Sequence, residues 1–429
     1  MRSLAGSSRK PRRFVFWGGQ SLSIVCDQGW GFLWALIIVE ILQASEGVFG
    51  LANALAYAAL AVVPLFLTPL FRGHSLFKTM SLLDLLRSML TLGIAAGVLL
   101  RRIDLVWAIA AVVMMSSFAG LFQSAFYAVL PDIAGDQDEL TRDNARLSIL
   151  ISTGGVAMPV IAAAMSSVAS PSSVLALISV AYFVSFATLQ VVAASPAGEE
   201  GDSSPRVDRY LSQLARGIRV VFRDRLVATA TALSVTFNLV AGMASTIAPL
   251  LILKRWSLSP QLFGFFSSAA AVGGILGGFV AGTLVKRLGI VRSLYASTAV
   301  AAAVFAVMGL AAAGGPSCFV PLTILEGLVA VATVVFNVAN GTLRQLVVPR
   351  DLLAQTFATV RLVAALGSAA GAALGGAVAA AGGGWIGLLA GAAIAALAAV
   401  LASQTVRSDS RVRNGTLLPA GETPRLGGD

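Results

Sequence analysis

Long apolar runs, separated by short charged or Gly/Pro/Ser-containing breaks, dominate this chain, and their length sets the fold. They fall at 14–41, 47–71, 76–100, 104–130, 143–168, 172–194, 225–253, 259–285, 290–313, 317–343, 355–380 and 384–404. A hydrocarbon layer of ~30 Å needs about 20 helical residues at a rise of about 1.5 Å each, so each run is long enough to cross it. None has the alternating pattern of a barrel strand. Inside lipid the backbone must satisfy its own hydrogen bonds, which leaves helices. The pattern predicts an all-α integral membrane protein of twelve transmembrane helices in two pseudo-symmetric six-helix bundles.

The breaks predict the orientation, because cytoplasmic loops retain Lys and Arg. One side carries Arg2, Arg9, Lys10, Arg12, Arg13, Arg72, Lys78, Arg142, Arg146, the basic segment from Arg206 to Arg225, Lys286, Arg287, Arg344 and Arg350; the other carries only Arg101, Arg102, Lys254 and Arg255. Both termini are therefore expected in the cytoplasm, with the protein multi-pass in the cytoplasmic membrane. The stretch beginning at Phe14 far exceeds the about 7–15 residues of a signal-peptide core, so it is expected to remain as the first span.

The polar segment 195–224 divides the chain. It opens with SPAGEEGDSSP and continues with Val207, Leu211, Leu214, Ile218 and Val221 on one helical face and Arg209, Arg216, Arg219 and Arg223 on the other. Such a helix is suited to an anionic membrane surface. The expected organisation is a cytoplasmic N-terminus at 1–13, bundles at 14–194 and 225–404, the linker at 195–224 and a disordered tail at 405–429.

Composition removes the soluble classes. Hydrophobic residues make up 57% and charged residues 12%, against about 25% charged in ordinary globular chains, so a water-exposed surface could not be covered. The net charge of +10 is spread between apolar runs without interleaved aromatics, which argues against a nucleic-acid partner. Cys26, Cys318 and His74 form no metal or disulfide framework. No GxxxxGK[ST] pattern occurs and no cluster resembles a catalytic triad, so neither nucleotide hydrolysis nor another enzymatic activity is expected.

Candidate chemistry lies in polar residues inside the spans. Gln20, Ser23, Asp27, Trp30 and Trp34 recur at three- and four-residue spacing in the first span; Ser116, Gly120, Gln123 and Tyr127 do so in the fourth. The seventh offers Ser234, Asn238 and Ser245, and the tenth Glu326, Thr333, Asn337, Asn340 and Arg344. This recurrence at every third helix fits three-helix repeats whose first members line a central route. An ionised carboxylate in mid-membrane costs roughly 2.5–3.5 kcal/mol on insertion scales. Asp27 and Glu326 are therefore the candidate proton carriers, and Gln20, Ser23, Trp30, Trp34, Ser116, Gln123, Tyr127, Ser234, Asn238, Thr333 and Asn337 the candidate substrate-cavity residues. The ladders Gly274, Gly278, Gly282 and Gly367, Gly371, Gly375 are expected at a seam between the two halves.

Several segments carry a resemblance. Gly282-Thr-Leu284-Val-Lys286-Arg287-Leu-Gly289 resembles GxLaDRxG, the loop motif of the major facilitator superfamily. Phe336 to Pro349 is similar to the tenth-helix ending, and Asp84-Leu-Leu-Arg87 to the third helix, of the branch containing the enterobactin exporter and macrolide efflux proteins. Gly154 to Ala163, around Pro159, resembles a softened antiporter motif, gxxxGPxxGG. The chain departs from the pattern where Lys286 replaces the motif's Asp and where Thr68-Pro-Leu70-Phe-Arg72 keeps neither its Gly nor its Asp.

The resemblance implies alternating-access transport with Asp84, Arg87, Gly282, Arg287, Gly289, Arg344, Gly154 and Pro159 in gating or conformational roles. It implies proton-coupled efflux of a small amphipathic molecule such as a drug, antibiotic or siderophore-like metabolite, driven by a proton gradient with no bound cofactor and by a single copy of the chain. Uptake of a nutrient, or a non-transporting sensor, is the alternative.

Overall fold

The computed structural model describes residues 2–67, 75–134, 136–194, 216–349 and 352–408, with backbone alone at 2–10, 354 and 407–408. Among these residues twelve helices are long and apolar enough to cross a membrane. They are α1 (Arg2–Ala35), α2 (Glu46–Leu67), α3 (Leu76–Leu99), α4 (Leu105–Ala134), α5 (Gln137–Val168), α6 (Pro171–Ala194), α7 (Arg225–Pro249), α8 (Pro260–Leu288), α9 (Ile290–Ala313), α10 (Phe319–Val347), α11 (Leu353–Gly382) and α12 (Gly384–Ser408). A further helical stretch covers 216–223, the last part of the expected linker helix. The first loop-motif copy at 68–72, His74, the linker at 195–215, Arg350 and the tail from 409 lie outside the described residues.

Some helices exceed the apolar runs, for local reasons. The run at 143–168 belongs to a helix that starts at Gln137, where the Asp136 carboxylate accepts the Glu139 backbone N–H as an N-cap. Asp224 caps α7 in the same manner through Leu226 and Val227. Periodicity of apolar residues is blind to such polar first turns.

The helices α1 and α7 end alike. Each widens into a π-helical turn, Leu36–Ile41 and Leu250–Arg255, and two residues later the chain takes a left-handed conformation at Gln43 and Ser257, both at φ 50°. The turns are closed by Ala44 N–H to Ile38 O and by Leu258 N–H to Ile252 O. Matching the two turns aligns Gln20 with Ser234 and Asp27 with Ala241, so the repeat preserves the backbone while the acid occurs once.

Two compact units divide the chain. The first comprises 1–45, 55–206 and 252–271; the second comprises 46–54, 207–251 and 272–429. In the first, Phe16 and Phe126 stack at 5.8 Å, with Trp17 edge-on at 6.3 Å to Phe126, around buried Phe77, Leu121, Phe122 and Val129. Many large apolar side chains stay outside, among them Phe14, Val106 and Phe279, each about four-fifths exposed. A surface of that kind requires a lipid solvent.

Lipid tails are as apolar as Leu, so helix association here depends on close packing and polar contacts. Small residues permit it. A Cβ on Gly154 would lie 3.0 Å from Val25 Cα, holding α5 against α1; one on Gly50 would lie 2.6 Å from Gly376 Cα, holding the start of α2 against α11.

The expected glycine seam is corrected by this packing. Gly367 and Gly375 lie against α7, where Cβ atoms would stand 2.8 Å from Val235 O and 2.9 Å from Met243 O, and Gly371 faces Leu239 in the same row. This ladder joins helices within the second unit. Gly274, Gly278 and Gly282 have open space around them. Their neighbours Gly273 and Gly277 make the approach, to Gly327 and to Val331 and Val334 of α10. One residue along a helix turns it by about 100°, so a correct GxxxG spacing in the wrong register faces outwards.

Candidate functional site

The densest polar cluster lies halfway along α1, α3 and α6 in the first unit. Asp84 and Arg87 are one turn apart on α3, and the Arg87 guanidinium donates to Asp84 Oδ1 at 3.1 Å. Its second terminal nitrogen forms an ion pair with Asp27 of α1 and lies 3.1 Å from the Tyr182 hydroxyl of α6. That hydroxyl donates to Asp27. The guanidinium also lies over the Tyr182 ring, 4.2 Å from its centroid, and over Phe122 of α4 at 5.3 Å.

Arg87 is 1% exposed and Asp84 not at all, whereas the Asp27 side chain is 31% exposed. One cation therefore sits between a sealed carboxylate and an accessible one. The cluster thus holds two carboxylates against one guanidinium.

Serines fasten the helices around it. The Ser88 hydroxyl donates to Ser179 O at 2.9 Å, and the Ser179 hydroxyl to Ser88 O at 2.8 Å. Gln20 Nε2 donates to Ser185 Oγ at 2.7 Å. At the N-terminal end of α1, Arg13 bridges Asp143 and Glu139 of α5, each at 2.7 Å, with Asp143 fully buried.

The second unit holds a different arrangement. Ser234 of α7 receives Asn340 Nδ2 at 2.6 Å and an Arg344 terminal nitrogen at 3.2 Å, and Arg344 lies 5.4 Å from the Phe357 ring centroid. Asn238 donates to Ser234 O and accepts from Ser368 of α11 at 3.3 Å. Glu326, about 10 Å into α10 from Phe319 at about 1.5 Å per residue, is half-buried and makes no hydrogen bond or ion pair to a described residue.

The candidate residues therefore separate. Asp27, Asp84 and Arg87 come together, and Glu326 falls in the other unit. Gln20, Ser23, Trp34 and Ser234 are sealed inside helix contacts, at 0, 0, 6 and 4% exposure, which corrects their expected place on an open cavity wall. Gln20 is covered by α6, where it bonds Ser185. Trp30, Ser116, Gln123, Asn238 and Thr333 are half-buried, while Tyr127 and Asn337 are exposed.

Asp84 and Arg87 lie in mid-span, far from a helix-end gate. Gly154 packs on α1, Pro159 lies in α5 with its carbonyl against Gly264, and Gly289 makes the α8–α9 turn at φ 84°. Lys286 and Arg287 are exposed and form no ion pair to a described residue.

Tyr182 and its serines were missed by the search for a stripe on every third helix. The signal was present: Ser179, Tyr182 and Ser185 recur at three-residue spacing on α6, and Ser81, Asp84, Ser88 and Thr91 form the matching row on α3. Serines count weakly in a polarity reading, although Ser81, Ser88 and Ser179 hydrogen-bond across this interface.

Comparison with known proteins supplies the class. Among solved structures the fold is similar to the nucleoside transporter NupG, with a TM-score of 0.72 at 12% identity over 93% of this chain and 100% of that one. It is similar to a bacterial homologue of the human lysosomal transporter Spinster, inward-facing and unoccupied, with a TM-score of 0.70 at 12% identity over 92% and 98%. A bacterial homologue of the iron transporter ferroportin, also inward-facing, gives 0.68 at 18% over 92% and 98%. Likeness at these identities is one of fold. No curated protein matches the sequence. The sequence profile of the Major Facilitator Superfamily, however, matches residues 16–346, and this match across most of the twelve-helix chain makes it a member of that superfamily of membrane transporters.

Proposed function

We propose that the protein is a proton-coupled exporter of a small amphipathic organic molecule, of the kind handled by the enterobactin and macrolide efflux branch, working by alternating access in the cytoplasmic membrane with both termini inside. The observation that carries this reading is the Asp27–Arg87–Asp84 cluster. A proton arriving at the accessible Asp27 neutralises it and leaves Arg87 to Asp84; loss of that proton restores the Asp27 ion pair and the Tyr182 hydrogen bond. Two charge arrangements of one buried cation give α1 two preferred positions against α3 and α6, which is what coupling requires.

Half-buried Trp30 and exposed Tyr127 offer apolar and stacking contact, and Gln123, Asn238 and Asn337 offer amides. The resemblance in α3, α5 and α10 favours export over uptake.

Comparison of extracellular metabolites from cells with and without the gene identifies the cargo. In proteoliposomes with an imposed pH gradient, Asp27→Asn is expected to reduce gradient-driven movement of that cargo to the level of protein-free vesicles, while exchange at equal pH on both sides persists. Glu326→Gln, which removes an acid without partners among the described residues, is expected to slow the same flux less. If both variants drive transport like the parent, proton coupling at these residues is wrong. If cells lacking the gene are starved of the compound instead of retaining it, the direction is uptake.

A further inference from the structure

Two arginines are buried in the spans, and among the described residues only one has a counter-charge. Arg87 sits between two carboxylates. Arg344 is 6% exposed and among the described residues meets no carboxylate at all. Among the described residues its contacts are one terminal nitrogen on Ser234 and the face of Phe357, and its Nε has no hydrogen-bond partner there.

Arg344 lies three residues before the end of α10, where an arginine ordinarily extends outwards to water. It turns inwards, anchored by Ser234. A guanidinium presents five N–H donors, and Ser234 takes one. One turn earlier, Asn340 Oδ1 is also buried without a partner among the described residues. An unpaired cation is costly away from water, and its complement is an oxyanion; the neighbouring amide oxygen can take a donor from water or from a hydroxyl carried beside the anionic group.

Among the described residues the approach is open. Asn337, Gly341 and Arg344 follow one another at four and three residues on the same side of α10. Asn337 is exposed, and a Cβ built on Gly341 would meet nothing within 4 Å.

We propose that Arg344, with Asn340 and Ser234 behind it, is a binding site for an oxyanion, a carboxylate or phosphate carried either by a solute or by an anionic lipid headgroup. Gly341 keeps its entrance clear. The site does not depend on proton coupling at Asp27, and it is tested by binding alone.

The full chain in phosphatidylcholine nanodiscs is titrated with decyl phosphate, decanoate, decanol and decylammonium. The expected result is at least about tenfold tighter binding of the two anions than of decanol or decylammonium. Arg344→Gln is expected to abolish that preference, and Arg344→Lys to retain part of it, since a point charge replaces a planar fork. Gly341→Leu leaves the guanidinium intact and is expected to weaken anion binding by about tenfold or more, through obstruction.

Nanodiscs containing phosphatidylglycerol separate the sources. Competition that removes decyl phosphate identifies a lipid headgroup; persistence of binding identifies a solute. The proposal is overturned if the four probes bind alike, or if neither Arg344→Lys nor Gly341→Leu alters anion affinity. It is also overturned if Asp351→Asn, which changes a residue outside the described part, strengthens anion binding, because the chain would then supply its own counter-ion.

Discussion

Arg87→Gln is expected to lower the stability of the first unit by about 3–5 kcal/mol, the usual effect of removing one partner from a buried ion pair. The variant keeps most of the side-chain volume, so a cavity contributes little. It leaves Asp84, fully buried, without its cation, and Asp27 with only the Tyr182 hydroxyl. Thermal unfolding of the purified protein in nanodiscs measures the effect.

The double variant Asp84→Asn/Arg87→Gln should recover much of the loss, because a neutral amide is far easier to bury than an orphaned charge. Arg87→Lys tests geometry separately. It keeps the charge and loses both the fork between Asp84 and Asp27 and the stacking on Tyr182. If Arg87→Gln unfolds at the parent temperature, the cluster contributes nothing to stability and the two-position account of α1 loses its basis.

How much of this was visible in the sequence depends on the kind of information each feature carries. The twelve spans were legible because lipid demands about 20 apolar helical residues from each, regardless of its neighbours. Asp27 was legible for a related reason: a mid-span charge stands out against an apolar background. Its partner was harder to identify. Arg87 and Asp84 were noticed as a family-like segment of the third helix, but nothing local indicates that α3 and α6 face α1 at this depth, or that Tyr182 closes the cluster from 155 residues away.

The polar stripe on α1 was read as one face with one purpose. Gln20 instead fastens α1 to Ser185, and only the stretch around Asp27 remains accessible. Helical spacing specifies which residues share a side, and the neighbour on that side decides whether it is a wall or a seam. The same limit applies to Arg344: the family resemblance of its segment suggested a gate, and the inward turn towards Ser234 has no sequence signal.

The glycine rows give the second large effect, and they show how register decides the outcome. Gly371→Leu is expected to separate α7 from α11. Even a Cβ at Gly371 would lie 2.7 Å from the Leu239 carbonyl carbon and 2.9 Å from its Cα, and these are backbone atoms that cannot rotate away. Overpacking of this kind costs about 1–3 kcal/mol where side chains can yield, and more where only a helix shift relieves it.

Leucine also favours helix over glycine, by somewhat less than the about 0.8–1.0 kcal/mol that separates glycine from alanine, which opposes the clash without cancelling it. Gly278→Leu provides the control. The same residue change gains the same propensity at an exposed position with nothing within 4 Å of the new Cβ, so its unfolding temperature should match or exceed the parent's. Monodispersity on size exclusion and thermal unfolding in nanodiscs are the measurements. Loss of the folded peak for Gly371→Leu alone supports the α7–α11 packing. Equal tolerance of both changes would mean that these helices are not held by backbone contact, and loss for Gly278→Leu alone would return the seam to the row first read from the sequence.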